Sequence, residues 1–216
     1  MWEGKSLTRN HHQLFRLELA ENDPRQFDGS PFERQRHAEL LRLALCGGAV
    51  THGLEVGGAT GAFTDKLAPH CRRLTVVDVG PQAPSRTRLS MQDSSHIDWV
   101  VCDVQRYLSE ELFDLIVVGD LLCRLAGIAE LETAIENLVG MLAPDGHLVF
   151  GSARDSIYRH GGYAYGAETP IAMLNEKLCP LLRVRCQGNA ASEDWLLALF
   201  KNPGQTAHSP ANRKRD

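Results

Sequence analysis

The sequence predicts a doubly wound α/β fold, in which helices cover both faces of a mostly parallel sheet. The chain has 216 residues, and seven apolar runs of strand length follow residue 50. In chain order these runs are HGLEVG, RLTVVDV, HIDWVVCD, LFDLIVVGD, GHLVFGSA, CPLLRVRCQ and DWLLALF. The first four are rich in Val, Ile and Leu without clean alternation, which is typical of parallel strands buried on both faces. Helical patterns lie between the runs, and this alternation favours a doubly wound sheet.

The predicted helices and the last strand pair complete this layout. Before residue 50, ENDPRQFDGSPFERQRHAELLRLAL predicts a loop and then a helix with Leu40, Leu41 and Leu45 near one side. AFTDKLAPHC predicts a helix after the first strand. AELETAIENLVGML predicts a longer helix that stops at APDG and has one apolar face, formed by Leu131, Ile135, Leu138 and Leu142. Only CQGNAASED separates the last two strands, so we expect an antiparallel pair at one end of the sheet.

The chain is expected to form a single domain over residues 31–202. We expect residues 1–30 to be a partly disordered N-terminal extension. Residues 203–216 are expected to be a disordered tail, because PGQTAHSPANRKRD is polar and contains proline. No apolar segment at the N-terminus has the length of a signal peptide, and no run approaches a membrane span. We therefore expect a cytoplasmic protein with no membrane partner.

Charge and cysteine spacing argue against two classes of function. The formal net charge is −4, and the only cationic cluster, NRKRD, is too short for a nucleic-acid footprint. The six cysteines include no C-x-x-C pair, so no zinc or redox motif is indicated. We expect neither nucleic-acid binding nor a metal site.

The segment LEVGGATGAF has the composition of a nucleotide-binding loop. The dinucleotide fingerprint G-x-G-x-x-G is not met, because Ala59 and Ala62 stand at two of its glycine positions. The residues instead follow E-x-G-x-x-x-G, formed by Glu55, Gly57 and Gly61, with Gly58 as an additional glycine. Glycine lets the backbone turn sharply and approach a ligand closely, and the following helix N-terminus can face an anionic group. The alternative is a tight strand-to-helix turn without a ligand.

Acidic residues end the second, third and fourth predicted strands. Asp78 lies about twenty residues beyond the first glycine, where a carboxylate accepts hydrogen bonds from ribose hydroxyls. Asp103 can accept from an exocyclic amine, and the backbone of Val104 can contact a purine ring. Asp120 ends the fourth strand, beside the point where such sheets bind ligands. Each carboxylate alone could be a helix cap or a turn residue. Together with the glycine loop, they favour a nucleoside-binding site.

This pattern resembles the Rossmann-like class I S-adenosylmethionine-dependent methyltransferases over residues 51–150. The resemblance implies a seven-stranded sheet with a reversed last strand, helices on both faces, and S-adenosyl-L-methionine as cofactor. It places Gly57, Gly58 and Gly61 at the methionine part, Asp78 at the ribose, and Asp103 with Val104 at the adenine. The sulfonium is expected near Glu55 and the exit of the fourth strand, at Gly119.

A more specific resemblance covers residues 18–202. Segments such as PFERQRH, MLAPDGHLVFGSARD and GAET are similar to those of the rhizobial nodulation methyltransferase family NodS. The family N-methylates the free amine of the de-N-acetylated terminal glucosamine of chitooligosaccharides during nodulation-factor synthesis. The resemblance implies that enzymatic activity and that substrate. One departure stands at the fourth-strand exit, where Leu121, Leu122, Cys123 and Arg124 follow Asp120 and family members can have aromatic residues.

Candidate acceptor residues lie at the same sheet edge. Asp120 is the candidate catalytic residue, either as a base or by orienting the amine; the alternative is a cap for the following segment. SARDSIYRHGGYAYGAET offers aromatic and polar groups suited to a sugar, with Arg154, Tyr158, His160 and Tyr163 as candidate contacts. The PFERQRH helix is expected to cover the cofactor.

The sequence leaves three further interpretations open. The first is a small-molecule methyltransferase of another acceptor specificity. The second is a cofactor-binding module with little catalysis, and the third is an NAD-binding oxidoreductase. The missing glycines of the loop and the absence of a Tyr-x-x-x-Lys-like pair disfavour the oxidoreductase.

Overall fold

Seven strands form one sheet in the order β3-β2-β1-β4-β5-β7-β6. The structure is a computed structural model that describes residues 30–58, 61–80, 95–160 and 163–204. The first five strands run parallel to one another, and β7 runs antiparallel to both β5 and β6. All seven predicted strands and the closing antiparallel pair are therefore confirmed. The strands are β1 Val50–Val56, β2 Cys71–Asp78, β3 Ile97–Val101, β4 Phe113–Gly119, β5 Leu142–Ala153, β6 Cys179–Gln187 and β7 Asp194–Lys201.

The helices between the strands begin where the local sequence supports them. Pro31 opens the first helix at a position that needs no N–H donor, and Glu33 places negative charge in its first turn. The helices are α1 Pro31–Ala44, α2 Thr64–Leu67, α3 Ile128–Gly140, α4 Asp155–His160 and α5 Glu168–Lys177. Three short 3₁₀ turns accompany them, Leu45–Gly47, Ala68–His70 and Leu122–Arg124. The predicted extension at residues 1–30 and the tail at 203–216 lie almost entirely outside the described residues.

Burial along the strands shows that both faces of the sheet are covered. Residues Trp195–Phe200 of β7 are buried consecutively, and so are Leu115–Val118 of β4. Successive side chains of a strand point to opposite faces, so consecutive burial requires packing on both. The edge strand β6 is mostly exposed. None of the helices in the described ranges is long and apolar enough to cross a membrane.

One predicted helix boundary is wrong. Helix α3 buries Leu131, Ile135 and Leu138 as predicted, but it ends at Gly140. Leu142 begins β5 and pairs with Phe113 of β4. The APDG segment, at which the helix was predicted to stop, lies inside this strand. The Asn202 side chain donates hydrogen bonds to the carbonyl oxygens of residues 142 and 143, so tertiary contacts extend the strand through this segment.

Helix α1 also differs in detail from its predicted apolar side. Leu40 and Leu43 are fully buried, whereas Leu41 is half-buried and Leu45 lies in the following 3₁₀ turn. Leu40 packs over the end of the sheet: its Cδ2 lies 3.9 Å from the position a Cβ would take at Gly119, and its Cδ1 lies 3.4 Å from that position at Gly151. The helix therefore covers the carboxyl ends of β4 and β5.

The chain changes direction across the sheet between β1 and β4. Strands β2 and β3 extend to one side of β1, and β4 and β5 extend to the other. Ligands of open α/β sheets bind outside the carboxyl ends of the strands at such a switch point. The predicted glycine loop follows β1 and the predicted catalytic residue follows β4, so both lie at this point.

Candidate functional site

Gly57 brings the end of β1 against the end of β4. Its φ of 87° is in the left-handed region that favours glycine, and its N–H donates to the carbonyl oxygen of Val77. A Cβ at this position would lie 3.3 Å from the carbonyl oxygen of Gly119 and 3.3 Å from Cβ of Leu121. The predicted loop and the predicted strand-four exit are therefore in direct contact.

The next two glycines shape a tight turn. A Cβ at Gly58 would lie 2.5 Å from Cγ1 of Val76, so no side chain fits there unless Val76 is displaced. Gly61 has a φ of 80°, and its N–H donates to the carbonyl oxygen of Gly58. The carbonyl oxygen of Gly61 in turn accepts from the N–H of Asp65 at the start of α2. Ala59 and Thr60 lie outside the described residues.

Glu55 is a buried carboxyl group at the base of this loop. Burial raises its pKa to about 8, and the negative charges of Asp78 and Asp65 act in the same direction. The nearby Thr64 hydroxyl acts in the opposite direction and lowers the Glu55 pKa. The Oε2 atom of Glu55 has no hydrogen-bond partner within the described part of the chain. Buried polar atoms in folded proteins almost always have partners, so this oxygen points to a bound group. Together with the glycine turn, Glu55 forms a site that fits the amino-acid end of a cofactor.

Asp78 is the last residue of β2, and Asp103 lies just beyond β3, the strand beside it. Asp78 is buried, and its Oδ1 accepts from the N–H of Gly80 at 2.6 Å. Asp103 lies two residues beyond the end of β3 and does not close that strand as predicted. Its Oδ1 accepts from the N–H of Gln105 at 3.0 Å, and the adjacent Val104 is buried. Both carboxylates thus hold local turns at the sheet edge where the nucleoside was predicted.

Asp120 is held by side chains from three segments. Its φ of 52° is in the left-handed region, which non-glycine residues seldom adopt, and its N–H donates to the carbonyl oxygen of Gly151. Its Oδ1 accepts from the Ser152 hydroxyl at 2.9 Å and from the Tyr158 phenol. Arg124 donates to Oδ2 at 3.2 Å and, through Nε, to the Asp120 carbonyl oxygen at 3.0 Å. These bonds come from side chains, and the 3₁₀ turn at Leu122–Arg124 has no side-chain cap, so the capping alternative is not observed.

Two tyrosines complete this group, which we call the Asp120 hub and define as Asp120, Arg124, Ser152, Tyr158 and Tyr163. The rings of Tyr158 and Tyr163 meet edge to face, with centroids 4.9 Å apart. The guanidinium carbon of Arg124 lies 6.0 Å from the Tyr163 ring centroid. Burial and the adjacent negative charge of Asp120 raise the pKa of Tyr158, so its phenol stays neutral. The aromatic groups absent from the segment after Asp120 are thus supplied by the segment after β5.

Ser152 and Arg124 were not among the sequence-predicted site residues. Ser152 lies at the end of an apolar run whose pattern predicts a buried strand and gives no sign of a functional residue. Arg124 stands four residues after Asp120, and this i,i+4 spacing is the one signal that could have linked them.

Arg154 has a different environment from the other predicted acceptor residues. Its Nε donates to Oε1 of Glu168 at 2.7 Å, and its Nη1 lies 3.7 Å from Oδ2 of Asp194. Glu168 also accepts from the N–H of Asp155, whose own Oδ1 accepts from the N–H of Gly166. This network joins Arg154 and Asp155 to Gly166 and Glu168. His160 ends α4, and its side chain lies outside what the structure describes.

The strand order, the switch-point loop and the carboxylates at the carboxyl ends of β2, β3 and β4 together define a class I methyltransferase. The predicted fold class and cofactor, S-adenosylmethionine, are confirmed. The oxidoreductase and non-catalytic interpretations are set aside.

The chain belongs to the NodS family, because residues 8–207 match the family described as Nodulation protein S (NodS). Nodulation protein S of Rhizobium tropici is 55% identical over 196 residues, which cover 91% of this chain and 82% of the relative. Nodulation protein S of Sinorhizobium fredii is 52% identical and covers 89% of both chains.

A solved structure is similar over nearly its whole length. The crystal structure of N-methyltransferase NodS from Bradyrhizobium japonicum WM9, in complex with S-adenosyl-L-homocysteine, has a TM-score of 0.86. It is 54% identical, and the match covers 90% of this chain and 99% of that one. The predicted enzyme class, a nodulation N-methyltransferase dependent on S-adenosylmethionine, is thereby confirmed.

Proposed function

We propose that this N-methyltransferase methylates the free amine of the de-N-acetylated terminal glucosamine of a chitooligosaccharide. The single observation that supports this acceptor side best is the Asp120 hub. It combines a carboxylate for an amine with tyrosine rings for a sugar, directly beside the glycine loop. The family resemblance over residues 18–202 supports the same substrate. The six cysteines are free thiols, which supports a cytoplasmic location.

On the cofactor side, we assign each part of the molecule to the residues predicted for it. Gly57, Gly58 and Gly61 surround the methionine part, and the buried Glu55 contacts its charged end. Gly119 lies beside the sulfonium, at the contact between the β1 and β4 ends. Asp78 binds the ribose, and Asp103 and Val104 contact the adenine. When bound, the cofactor supplies an electrophilic methyl group.

On the acceptor side, the contacts of Asp120 favour an orienting role. A carboxylate offers about four lone-pair sites. Ser152 and Tyr158 take two on Oδ1, and Arg124 takes one on Oδ2. The Asp120 side chain is 27% exposed, and we assign the remaining lone pair of Oδ2 to one N–H of the amine. A hydrogen bond from that N–H to Asp120 directs the nitrogen lone pair towards the methyl group of the cofactor. Positioning of this kind is the main contribution of the protein to methyl transfer by displacement.

The proton balance agrees with that role. The amine lone pair forms a C–N bond while the C–S bond of the sulfonium breaks, and the nitrogen then carries one excess proton. Carboxylates are much weaker bases than amines. The excess proton therefore passes to water, and Asp120 keeps its position throughout.

Of the other predicted acceptor residues, some contact the sugar directly and one holds the loop that contacts it. Tyr163 is half-buried, so part of its ring is available to the apolar face of a sugar. His160 stays a candidate contact at the end of α4. Arg154 acts through Glu168, because this ion pair holds the loop that contains Tyr158 and Tyr163.

Mass spectrometry of chitooligomers incubated with the enzyme and S-adenosylmethionine tests the proposal. A deacetylated oligomer should gain one methyl group, and the fully acetylated oligomer, the matched control, should gain none. Asp78→Ala should weaken S-adenosylhomocysteine binding and turnover together. Methylation of unrelated amines with no turnover of any deacetylated oligomer would contradict the substrate and favour another acceptor specificity.

A further inference from the structure

Arg124 is the feature of the Asp120 hub that the reaction described so far does not use. Its side chain is 24% exposed and makes two bonds to Asp120, one to a carboxylate oxygen and one to the carbonyl oxygen. The guanidinium also lies 6.0 Å from the Tyr163 ring centroid. A positive charge is therefore fixed next to the carboxylate that receives the acceptor amine.

Several titratable groups from other segments face this pair. Tyr158 and Tyr163 come from the segment after β5, and both interact with the Arg124 charge. Cys123 is buried beside Asp120, and the charge of Asp155 also acts on it. Burial raises the pKa of the Cys123 thiol and of the Tyr158 phenol, so both stay neutral. Within the hub, the formal charges of Asp120 and Arg124 cancel.

This cancellation matters because an amine reacts only when it is unprotonated. A carboxylate alone would stabilise the ammonium form, since an opposite charge within about 4–6 Å typically moves a pKa by 1–3 units. The ammonium form has no lone pair and cannot accept a methyl group. A guanidinium at the same distance removes this bias, while the carboxylate oxygen still accepts an N–H bond.

We propose that Arg124 is a positioning residue that neutralises Asp120 and so keeps the bound acceptor amine deprotonated. The inference rests on the proposed function only in that the acceptor is an amine bound at Asp120. It also gives the departure at the strand-four exit a role. The aromatic rings come from the segment after β5, and the exit segment provides a cation.

The test is the pH dependence of kcat, which reports ionisations in the enzyme–substrate complex. Arg124→Gln removes the charge and keeps an N–H donor, whereas Arg124→Lys keeps the charge. For Arg124→Gln, the acid limb of kcat on a deacetylated chitooligomer should move up by about one pH unit or more. Arg124→Lys should keep the wild-type midpoint, whatever its absolute rate. A purely structural role would lower kcat of Arg124→Gln by the same factor at every pH.

Binding measurements supply a second readout without turnover. Calorimetry in buffers of different ionisation enthalpy counts the protons released when the deacetylated oligomer binds the protein–S-adenosylhomocysteine complex. Below the pKa of the free amine, the wild type and Arg124→Lys should release close to one proton, and Arg124→Gln should release fewer. Unchanged S-adenosylhomocysteine binding verifies that the variants are folded.

The two proposals fail in different ways. If the wild type neither binds nor methylates any deacetylated oligomer, the proposed substrate is wrong, and the role of Arg124 is wrong with it. If the wild type is active but Arg124→Gln keeps the wild-type acid limb and proton release, only the role of Arg124 is overturned.

Discussion

The phenol of Tyr158 donates a hydrogen bond to Oδ1 of Asp120 and so joins the loop after β5 to the exit of β4. The two residues are 38 positions apart in the chain, and both belong to a site that faces the glycine loop. Ser152 donates to the same oxygen. The orientation of Asp120, in its uncommon left-handed conformation, thus depends on the loop that is expected to bind the acceptor.

Tyr158→Phe should therefore impair catalysis more than cofactor binding. The change removes one of two donors to Oδ1 and leaves that carboxylate oxygen under-bonded. Losing a hydrogen bond to a charged group costs about 1.5–3 kcal/mol, which corresponds to roughly a 10- to 100-fold loss of kcat/KM if Asp120 orients the amine. Steady-state kinetics with a deacetylated oligomer measures the loss, and calorimetry with S-adenosylhomocysteine should show an unchanged Kd.

Tyr165→Phe is the matched control for that variant. Tyr165 is equally buried, and its phenol bonds to the backbone carbonyl oxygens of Leu125 and Gly127 instead of Asp120. It should lose stability by a similar amount and keep most of its kcat. Equal kinetic losses in both variants would mean that Tyr158 acts through stability alone.

Gly57→Ala should abolish cofactor binding. A side chain at φ 87° costs about 1–2 kcal/mol of conformational strain, and its Cβ would also crowd Gly119 and Leu121 at 3.3 Å. Gly48→Ala separates the two effects, because Gly48 has a φ of 94° with nothing within 4 Å of its Cβ position. Both variants should lose stability, measured by urea denaturation, but only Gly57→Ala should lose S-adenosylhomocysteine binding. Normal binding by Gly57→Ala would exclude a close approach of the cofactor to this loop.

The fold was predictable because each strand is a dense apolar run with its own boundaries. The switch-point loop was predictable for a similar reason, since Glu55, Gly57 and Gly61 are neighbours in the chain. The end of the helix before APDG was predicted wrongly because it depends on contacts between residues that are distant in the sequence. Phe113 pairs with Leu142, and the Asn202 side chain donates to the Leu142 carbonyl oxygen. Both residues are distant in the sequence, and their contacts place the segment in β5.

The acceptor side was only partly predictable for the same physical reason. Asp120 and Tyr158 could be proposed from their position after strands, but their contact depends on how β4 and β5 align. Gly119 pairs with Gly151 in that alignment, which brings Ser152 alongside Asp120. Arg154 is a residue type that often binds sugars, but in the structure its Nε donates a hydrogen bond to the Glu168 carboxylate.

Glu55 should make the stability of the protein depend on pH. Burial raises its pKa from an ordinary value of about 4.5 to about 8, so the folded state binds a proton that the unfolded state has released between these values. Stability contributed by Glu55 is therefore fully present below about pH 4.5 and is lost as pH rises through about 8. Glu55→Gln, which cannot ionise, should lack this loss.

Urea denaturation between pH 5 and pH 8.5 measures that difference. The variant should become more stable than the wild type as pH rises, by an amount on the order of a few kcal/mol at the upper end. Glu136→Gln, a change at an exposed carboxylate paired with Lys177, should follow the wild-type curve. Parallel curves for Glu55→Gln and the wild type would show that Glu55 ionises normally in the folded protein.

Gly166→Ala should disable the acceptor loop while the cofactor site survives. A Cβ at Gly166 would lie 2.3 Å from the carbonyl carbon of Arg154 and 2.3 Å from the N atom of Asp155, so the two backbones would have to separate. That movement breaks the bond from the Gly166 N–H to Asp155 and loosens the segment that contains Tyr158 and Tyr163. Overpacking of this kind costs about 1–3 kcal/mol in stability.

In kinetic terms, a loosened loop should raise KM for the oligomer and lower kcat together, because the loop both contacts the sugar and holds Asp120. S-adenosylhomocysteine binding should change little, since Gly57, Gly61 and Asp78 lie on the other side of the switch point. Gly140→Ala is the control. Gly140 ends α3 with nothing within 4 Å of its Cβ position, so an alanine there should leave stability unchanged or raise it slightly. If Gly166→Ala instead loses cofactor affinity and keeps its KM for the oligomer, the loop after β5 belongs to the cofactor site and the acceptor lies elsewhere.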